Sequence, residues 1–355
     1  MGLEPSSNPK PRLRAAAAAV LAALLAAACL VGAAGCSGND AAAPSDASGP
    51  TVRIGTMPTE DILPLWVAED EGMFATQGVD AEIVTFDSAP ALSAAITAGQ
   101  VDMAMTDVMR AVKLCESGTP VVLEWVTLGE TAEQGRFGVM APADSPYDSL
   151  AALAAGAARG EEAALRGVGV AANTVPEYAF DQLCISQGVD PASIPTQEVA
   201  SLPERYSLMT TGQLAAAALP GSLLALGEAN GMKLLADDAA GDNITQSVMV
   251  AQEAFAAEHQ DAVVAVALAW NEAANAINAN PEAYRALLAE RANLNEAVAD
   301  TYPVSTYPLA YDEGGLRRPT PAMVEPQVAW MVSKGYAAAP FAYDPATGTL
   351  VAAGA

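Results

Sequence analysis

Carboxylates, hydroxyls, an amide and two aromatic side chains recur just after short apolar runs, where a chain leaves a strand. In "TMPTEDILPLW" they are Thr56, Glu60, Asp61 and Trp66. In "FDSAP" they are Asp87 and Ser88, and in "AMTDVMRA" Thr106 and Asp107. In "VAANTVPEYAF" they are Asn173, Thr174 and Tyr178, and Leu219 to Gly221 fill a further turn of this kind. Carboxylates so placed hold cations and hydrogen-bond donors, and a tryptophan face stacks on a flat ring. Two of these residues also have plain structural readings. Trp66 suits the core of a first helix, and Ser88 suits a helix N-cap.

Other chemistry finds little support. His259 is the only histidine and sits in the polar "AEHQDAV", so exposure is the expectation. One histidine makes no histidine-based metal cluster and no nucleophilic triad. "GVGVAA" (Gly167–Ala172) matches a dinucleotide fingerprint on paper. Such a loop must follow a strand, and these glycines enter one. Adjacent acids such as Glu60–Asp61 and Asp237–Asp238 are expected in so acidic a chain. The reading is therefore of a protein that is not an enzyme and holds no cofactor and no metal.

The elements that must position these residues alternate. Apolar strand-like runs are Val52–Gly55, Ala81–Phe86, Val101–Thr106, Val121–Leu128, Arg136–Ala141, Val168–Ala171, Thr196–Ala200, Ala215–Leu219, Met232–Ala236 and Ser247–Ala251. Between them lie helix-length segments such as Leu63–Phe74, Ala89–Ala98 and Pro176–Gln187. This is the pattern of an α/β protein with mainly parallel sheets. Ten strands exceed one ordinary sheet, so two lobes are expected, with a break near Ala141–Leu153. After Ala251 the pattern reads as all helix. Val263, Val266, Ala267, Trp270, Ala274 and Ile277 share a helical face, and a last helix covers Ala322–Lys334 before Gly335.

The chain has 355 residues, 52% of them apolar, and a net charge of −26. That balance argues against nucleic acid and against an anionic membrane surface as partners of the body. The N-terminus is different. Lys10, Arg12 and Arg14 precede an apolar run from Ala15 to Ala34, which reads as an export signal. "AAGC" (Ala33–Cys36) then resembles the lipobox of bacterial lipoproteins, with alanine where leucine is usual. That resemblance implies lipidation of Cys36, with Cys29 in "AAAC" a weaker second site. Ser37–Pro50 is a flexible tether. Removing residues 1–35 takes away three bases and one acid and leaves a charge of −28. Cys115 and Cys184 remain, and either a disulfide or two buried thiols is compatible with export.

The stretch "PLWVAEDEGMFATQGVDAEIVTFDSAPALSAAITAGQVDMAMTD" (Pro64–Asp107) resembles the substrate-binding proteins of ABC importers of the nitrate, sulfonate, taurine and thiamine-precursor type. The matching positions are Pro64 to Ala68, then Gly72, Phe74, Gly78, Val79, Asp80 and Ala81, then Ala91, Leu92, Ala95, Gly99, Val101, Asp102, Met103 and Ala104. Weaker echoes span Leu202–Gly231 and Phe255–Glu290. One departure is Leu219, where the family has an acidic residue before proline.

The resemblance implies a two-lobed periplasmic-binding-protein type II fold with a helical C-terminal region. It divides the chain into a signal peptide (1–35), a lipidated tether (36–50), the first part of lobe 1 (51–140), lobe 2 (141–246) and the return of lobe 1 (247–355). Crossovers are expected at Phe137–Ala141 and Val248–Ala251. A small organic ligand would lie between the lobes, against Thr56, Glu60, Asp61, Trp66, Ser88, Thr106, Asp107, Asn173, Thr174 and Tyr178, and pass to an ABC permease. Near the strand ends only Arg136 is placed to hold an anion, so a neutral or cationic ligand, such as an aminopyrimidine, is favoured. The implied protein is an exported monomer, lipid-anchored on the outer face of the cytoplasmic membrane. Two other functions stay open: an enzyme of pyrimidine- or menaquinone-pathway type on the same fold, or a ligand-sensing lipoprotein serving a receptor.

Overall fold

The run "VVLEWVTL" is buried at all eight positions, as a central strand covered on both faces must be. It is β4 (Val121–Leu128) of a seven-stranded sheet in a computed structural model that describes residues 49–131, 134, 136–239 and 245–352. The run expected to be an export signal, most of the expected tether, Cys29 and Cys36 lie outside the described residues. β1 (Val52–Thr56), β2 (Ala81–Thr85) and β3 (Met103–Asp107) precede it. β5 (Phe137–Ala141), β6 (Val168–Val170), β7 (Thr196–Glu198), β8 (Ala216–Pro220) and β9 (Lys233–Asp237) follow and form a second, five-stranded sheet. β10 (Ser247–Gln252) then returns to the first sheet. A two-residue hairpin, β11 (Tyr311–Asp312) and β12 (Gly315–Leu316), stands apart, and β13 (Phe341–Asp344) and β14 (Thr349–Ala352) close the chain.

The strand orders are β13-β14-β4-β10-β3-β1-β2 and β7-β6-β8-β5-β9. Both sheets are mixed. β1 runs parallel to β2 and β3, and β6 to β7 and β8. β5 and β10, the strands that enter from the opposite lobe, run antiparallel to both neighbours. A strand arriving across the gap starts at the cleft end of the sheet, so it must run the other way. Phe137–Ala141, expected as a crossover, pairs with β8 and β9, so the second sheet starts at Phe137. The C-terminal region also departs from the all-helix expectation. β14 pairs with β4 and β13 with β14, so the last residues extend the first sheet.

Helices cover both faces of the first sheet. On one, Trp125 of β4 meets Trp270 of the helix Gln260–Ala279, ring centroids 6.1 Å apart, and Trp270 meets Tyr307. On the other, the helices Val108–Glu116 and Pro321–Ser333 bury Val112, Val328 and Met331 against Leu123 and Val250. The second sheet carries its own cores, which include Phe180, Leu183 and Leu219.

The two connections between lobes run side by side. Gly129, at φ +91°, lies so close to the other connection that an added Cβ would stand 2.2 Å from the Thr245 carbonyl oxygen. Only glycine fits that backbone and that gap. Asp238 ties the same place together, accepting from the Phe137 N–H at 2.8 Å and the Thr245 hydroxyl at 3.0 Å.

Candidate functional site

The carboxyl ends of β1 and β3 hold an acidic cluster. After β1 the chain makes a 3-10 turn, Glu60–Ile62, before the helix Leu63–Asp70. Glu60 accepts a hydrogen bond from Tyr302 Oη at 2.9 Å, and its backbone carbonyl accepts from Tyr307 Oη at 2.7 Å. Asp61 accepts from the Ser247 hydroxyl. Ser247 opens β10 directly opposite Asp107, which ends β3. Asp107 caps the helix Val108–Glu116, accepting from the Arg110 N–H at 2.7 Å.

The electrostatics join these groups into one site. Burial, then the neighbouring Asp61 charge, pushes the Glu60 carboxyl up to about 7, against the pull of the Tyr302 hydrogen bond. Burial raises Asp107 as well; Arg110 and backbone N–H groups oppose the rise, and Asp61 adds to it. The cluster therefore carries a proton readily near neutral pH, and a cation entering it would displace that proton. Among the described residues no three or more His, Cys, Asp or Glu are placed to hold a metal ion.

The second lobe meets this cluster directly. Gly221, which begins the helix after β8, is so close to Tyr302 that a Cβ would lie 2.8 Å from its hydroxyl. After β6, Asn173 adopts a left-handed φ of +55°. Its N–H donates to Glu177 at 2.7 Å, and its Oδ1 is buried without a partner. Thr56 Oγ1, in the last residue of β1, Thr59 Oγ1, just beyond it, and Arg110 Nε, beside Asp107, are likewise buried and unpartnered. Buried polar groups left unsatisfied are rare in native structures and ask for a ligand or a water.

The other sequence candidates fall elsewhere. Trp66 is 2% exposed inside the core between the sheet and the helix Gln260–Ala279, so it offers no stacking face. Tyr178 packs edge-on against Trp330 at 5.3 Å. Ser88 caps the helix Ala89–Thr97, accepting from the Ala91 N–H, and Asp87 is exposed. Thr106 is buried within β3, and Thr174 donates to the Ala171 carbonyl at 2.6 Å. Arg136 is bound to Glu228 at 3.0 Å and to Asp237, so it is committed within the second lobe. Leu219 fills the second core in place of a carboxylate. His259 is half-buried beside Phe255, and Cys115 and Cys184 are free thiols. Sequence reasoning missed Tyr302, Tyr307 and Ser247, whose contacts with Glu60 and Asp61 span more than 180 residues.

Two lobes whose strand ends converge on a polar site define the binding-protein architecture. The chain belongs to the NMT1-like family, whose model matches residues 45–293. No curated protein sequence matches it significantly. Its fold is that of the aliphatic sulphonate-binding protein SsuA of Escherichia coli, with a TM-score of 0.65 and 15% identity over 82% of this chain and 95% of that one. The alkanesulfonate-binding protein SsuA of Xanthomonas axonopodis pv. citri, bound to MOPS, gives 0.63 and 16% over 81% and 94%. The nitrate-binding protein NrtA of Synechocystis PCC 6803 gives 0.53 and 14% over 68% and 65%.

Proposed function

We propose that this chain is an exported, lipid-anchored solute-binding protein. It captures a small organic molecule between its lobes and delivers it to an ABC import permease. The observation that supports this best is the contact of both lobes at one polar site, where Glu60, Tyr302 and Gly221 meet. The fold shared with sulfonate- and nitrate-binding proteins agrees with it. The acidic cluster favours a ligand that presents a cation or several N–H donors. Arg110, with its buried unpartnered Nε, favours a second reading, an anionic ligand as in the similar structures. No helix among the described residues is long and apolar enough to cross a membrane. Attachment falls to the lipid on Cys36, which the lipobox resemblance of Ala33–Cys36 implies.

Thermal unfolding of residues 37–355 against a solute panel tests capture. The panel holds polyamines, thiamine and its pyrimidine precursor, purines, taurine, alkylsulfonates and nitrate. A ligand at ~100 times its Kd adds about 2.7 kcal/mol, a shift of several degrees. The expected shift is with a cationic or aminopyrimidine member. A shift with sulfonate or nitrate alone would establish the second reading. Anchoring has its own test. Cys36→Ser is expected to move the protein from the membrane fraction to the soluble one and to abolish acyl labelling. Retention of Cys36→Ser together with release of Cys29→Ser would move the lipid to Cys29.

A further inference from the structure

The lobes also meet at a second place, built from side chains that the acidic site does not use. The helix Val175–Ser186 belongs to the second lobe and packs on β5 and β8. The helix Pro321–Ser333 belongs to the first and packs on the helix Val108–Glu116 and on β13. Between them Trp330 Nε1 donates to Asp181 at 2.8 Å, and Tyr336 Oη donates to Glu177 at 2.9 Å. Lys334 Nζ lies 3.0 Å from both carboxylates and 5.8 Å from the Trp330 ring centre. Val175 and Tyr178 sink into the first lobe's core beside them.

We propose that this contact is an inter-lobe clasp that holds the closed state through Lys334, and that Glu177 is the positioning residue that couples it to the cleft. The proposal rests on the reading that the lobes hinge about a solute.

The argument is one of solvation. The Glu177 and Asp181 side chains are each 6% exposed, whereas Lys334 is 33% exposed. Two buried carboxylates cost several kcal/mol unless a cation and hydrogen bonds compensate them. Lys334 supplies that cation from the opposite lobe, so compensation exists only while the lobes touch. When they part, both carboxylates return to water. Glu177 does two jobs with two oxygens. Oε1 faces Tyr336 and Lys334 across the lobes, and Oε2 accepts from the N–H of Asn173 in the cleft turn. Closure thereby fixes the left-handed turn that carries the unpartnered Asn173 Oδ1.

Hydrogen exchange on the full-length chain in detergent, with no solute added, tests the proposal. Lys334→Met is expected to raise exchange at least tenfold in segments 173–181 and 330–337, with β8 unchanged as the folding control. In the triple variant Lys334→Met/Glu177→Gln/Asp181→Asn the stranded charges are gone, so exchange should return toward the wild-type rate. Return in the triple variant ties the effect to the two stranded carboxylates rather than to the altered side chain at position 334. Unchanged exchange in Lys334→Met, or no return in the triple variant, overturns the clasp. A silent solute panel with a responsive clasp would instead sink the capture reading and leave the clasp standing.

Discussion

Arg205→Leu is expected to lower the unfolding free energy by about 3–5 kcal/mol, the scale reached when a buried polar network is broken. Arg205 is 1% exposed in the second lobe. No carboxylate forms an ion pair with it among the described residues. Its guanidinium instead donates to three backbone carbonyls: Val199 at 2.9 Å, Ala218 at 2.8 Å and Ala200 at 3.4 Å. Burial pushes it down to about 10, with Glu198 opposing, so it stays charged at neutral pH. It ties the end of β7 to β8, and Gly169 makes room for it, since a Cβ there would stand 2.9 Å from Arg205 Cγ. Leucine leaves buried acceptors unmet, at about 1–3 kcal/mol each, and a partial cavity besides. Arg205→Lys should recover only part of the loss, because one ammonium cannot fork to three separated oxygens. Denaturant midpoints measure both variants. A loss under about 1 kcal/mol in Arg205→Leu would show that water replaces the guanidinium.

The second large effect is with pH, and its direction is opposite to ordinary acid denaturation. Glu60 and Glu124 are both pushed up to about 7, each chiefly by burial. Glu124 is fully buried, and its partner Arg318, at 3.1 Å, only partly offsets that. A carboxyl raised on folding binds its proton more tightly in the native state than in the unfolded chain. The native state therefore gains stability as pH falls through about 7, and the gain is complete near the unfolded value of 4.5. At about 1.4 kcal/mol per pKa unit, the rise from 4.5 to about 7 makes each group's contribution on the order of 3–4 kcal/mol. Asp107 and Asp238 are raised in the same sense. Carboxyls held low, Glu116 by Lys113 and Asp344 by the Ala346 N–H, reverse the trend only below about pH 4.5. The expected result is a Tm that rises from pH 8 to about pH 5 and then falls. Glu60→Gln/Glu124→Gln should flatten the rising limb. A Tm that falls steadily from pH 8 would show that both carboxylates are ionised in the native protein.

Much of the framework was legible because strands buried on both faces leave continuous apolar runs. β4 is the clearest case, since its eight residues match the run "VVLEWVTL" end to end. β13 and β14 were not legible. Each has only four residues, not all of them buried, too short a span for a period of two to stand out. In the site, Glu60, Asp61 and Asp107 could be chosen by their place after strands. Trp66 shows the limit of that rule. Leu63 to Ala68 are all buried, so this part of the helix turns no face to a cleft. The unbroken apolar run "ILPLWVA" carried that message. Tyr302 and Ser247 carried no local signal, because their meaning comes only from folding against Glu60 and Asp61. Arg205 was hidden for a similar reason, since an arginine in "LPERYSL" looks like any solvated helix charge.

The order in which the strands are spelled out has a consequence for a nascent chain. The five-stranded sheet is made wholly from Phe137–Asp237, one continuous stretch. The seven-stranded sheet is not, because β10 lies between β3 and β4 and joins them. Until residues 247–252 emerge, β3 and β4 each present an open edge with no partner between them. The lobe that begins first is thus completed last, after the inserted lobe has all its strands. Such unpaired edges are templates for aggregation. The first half of this chain is thus the part that a chaperone would have to shield while the second is still being made.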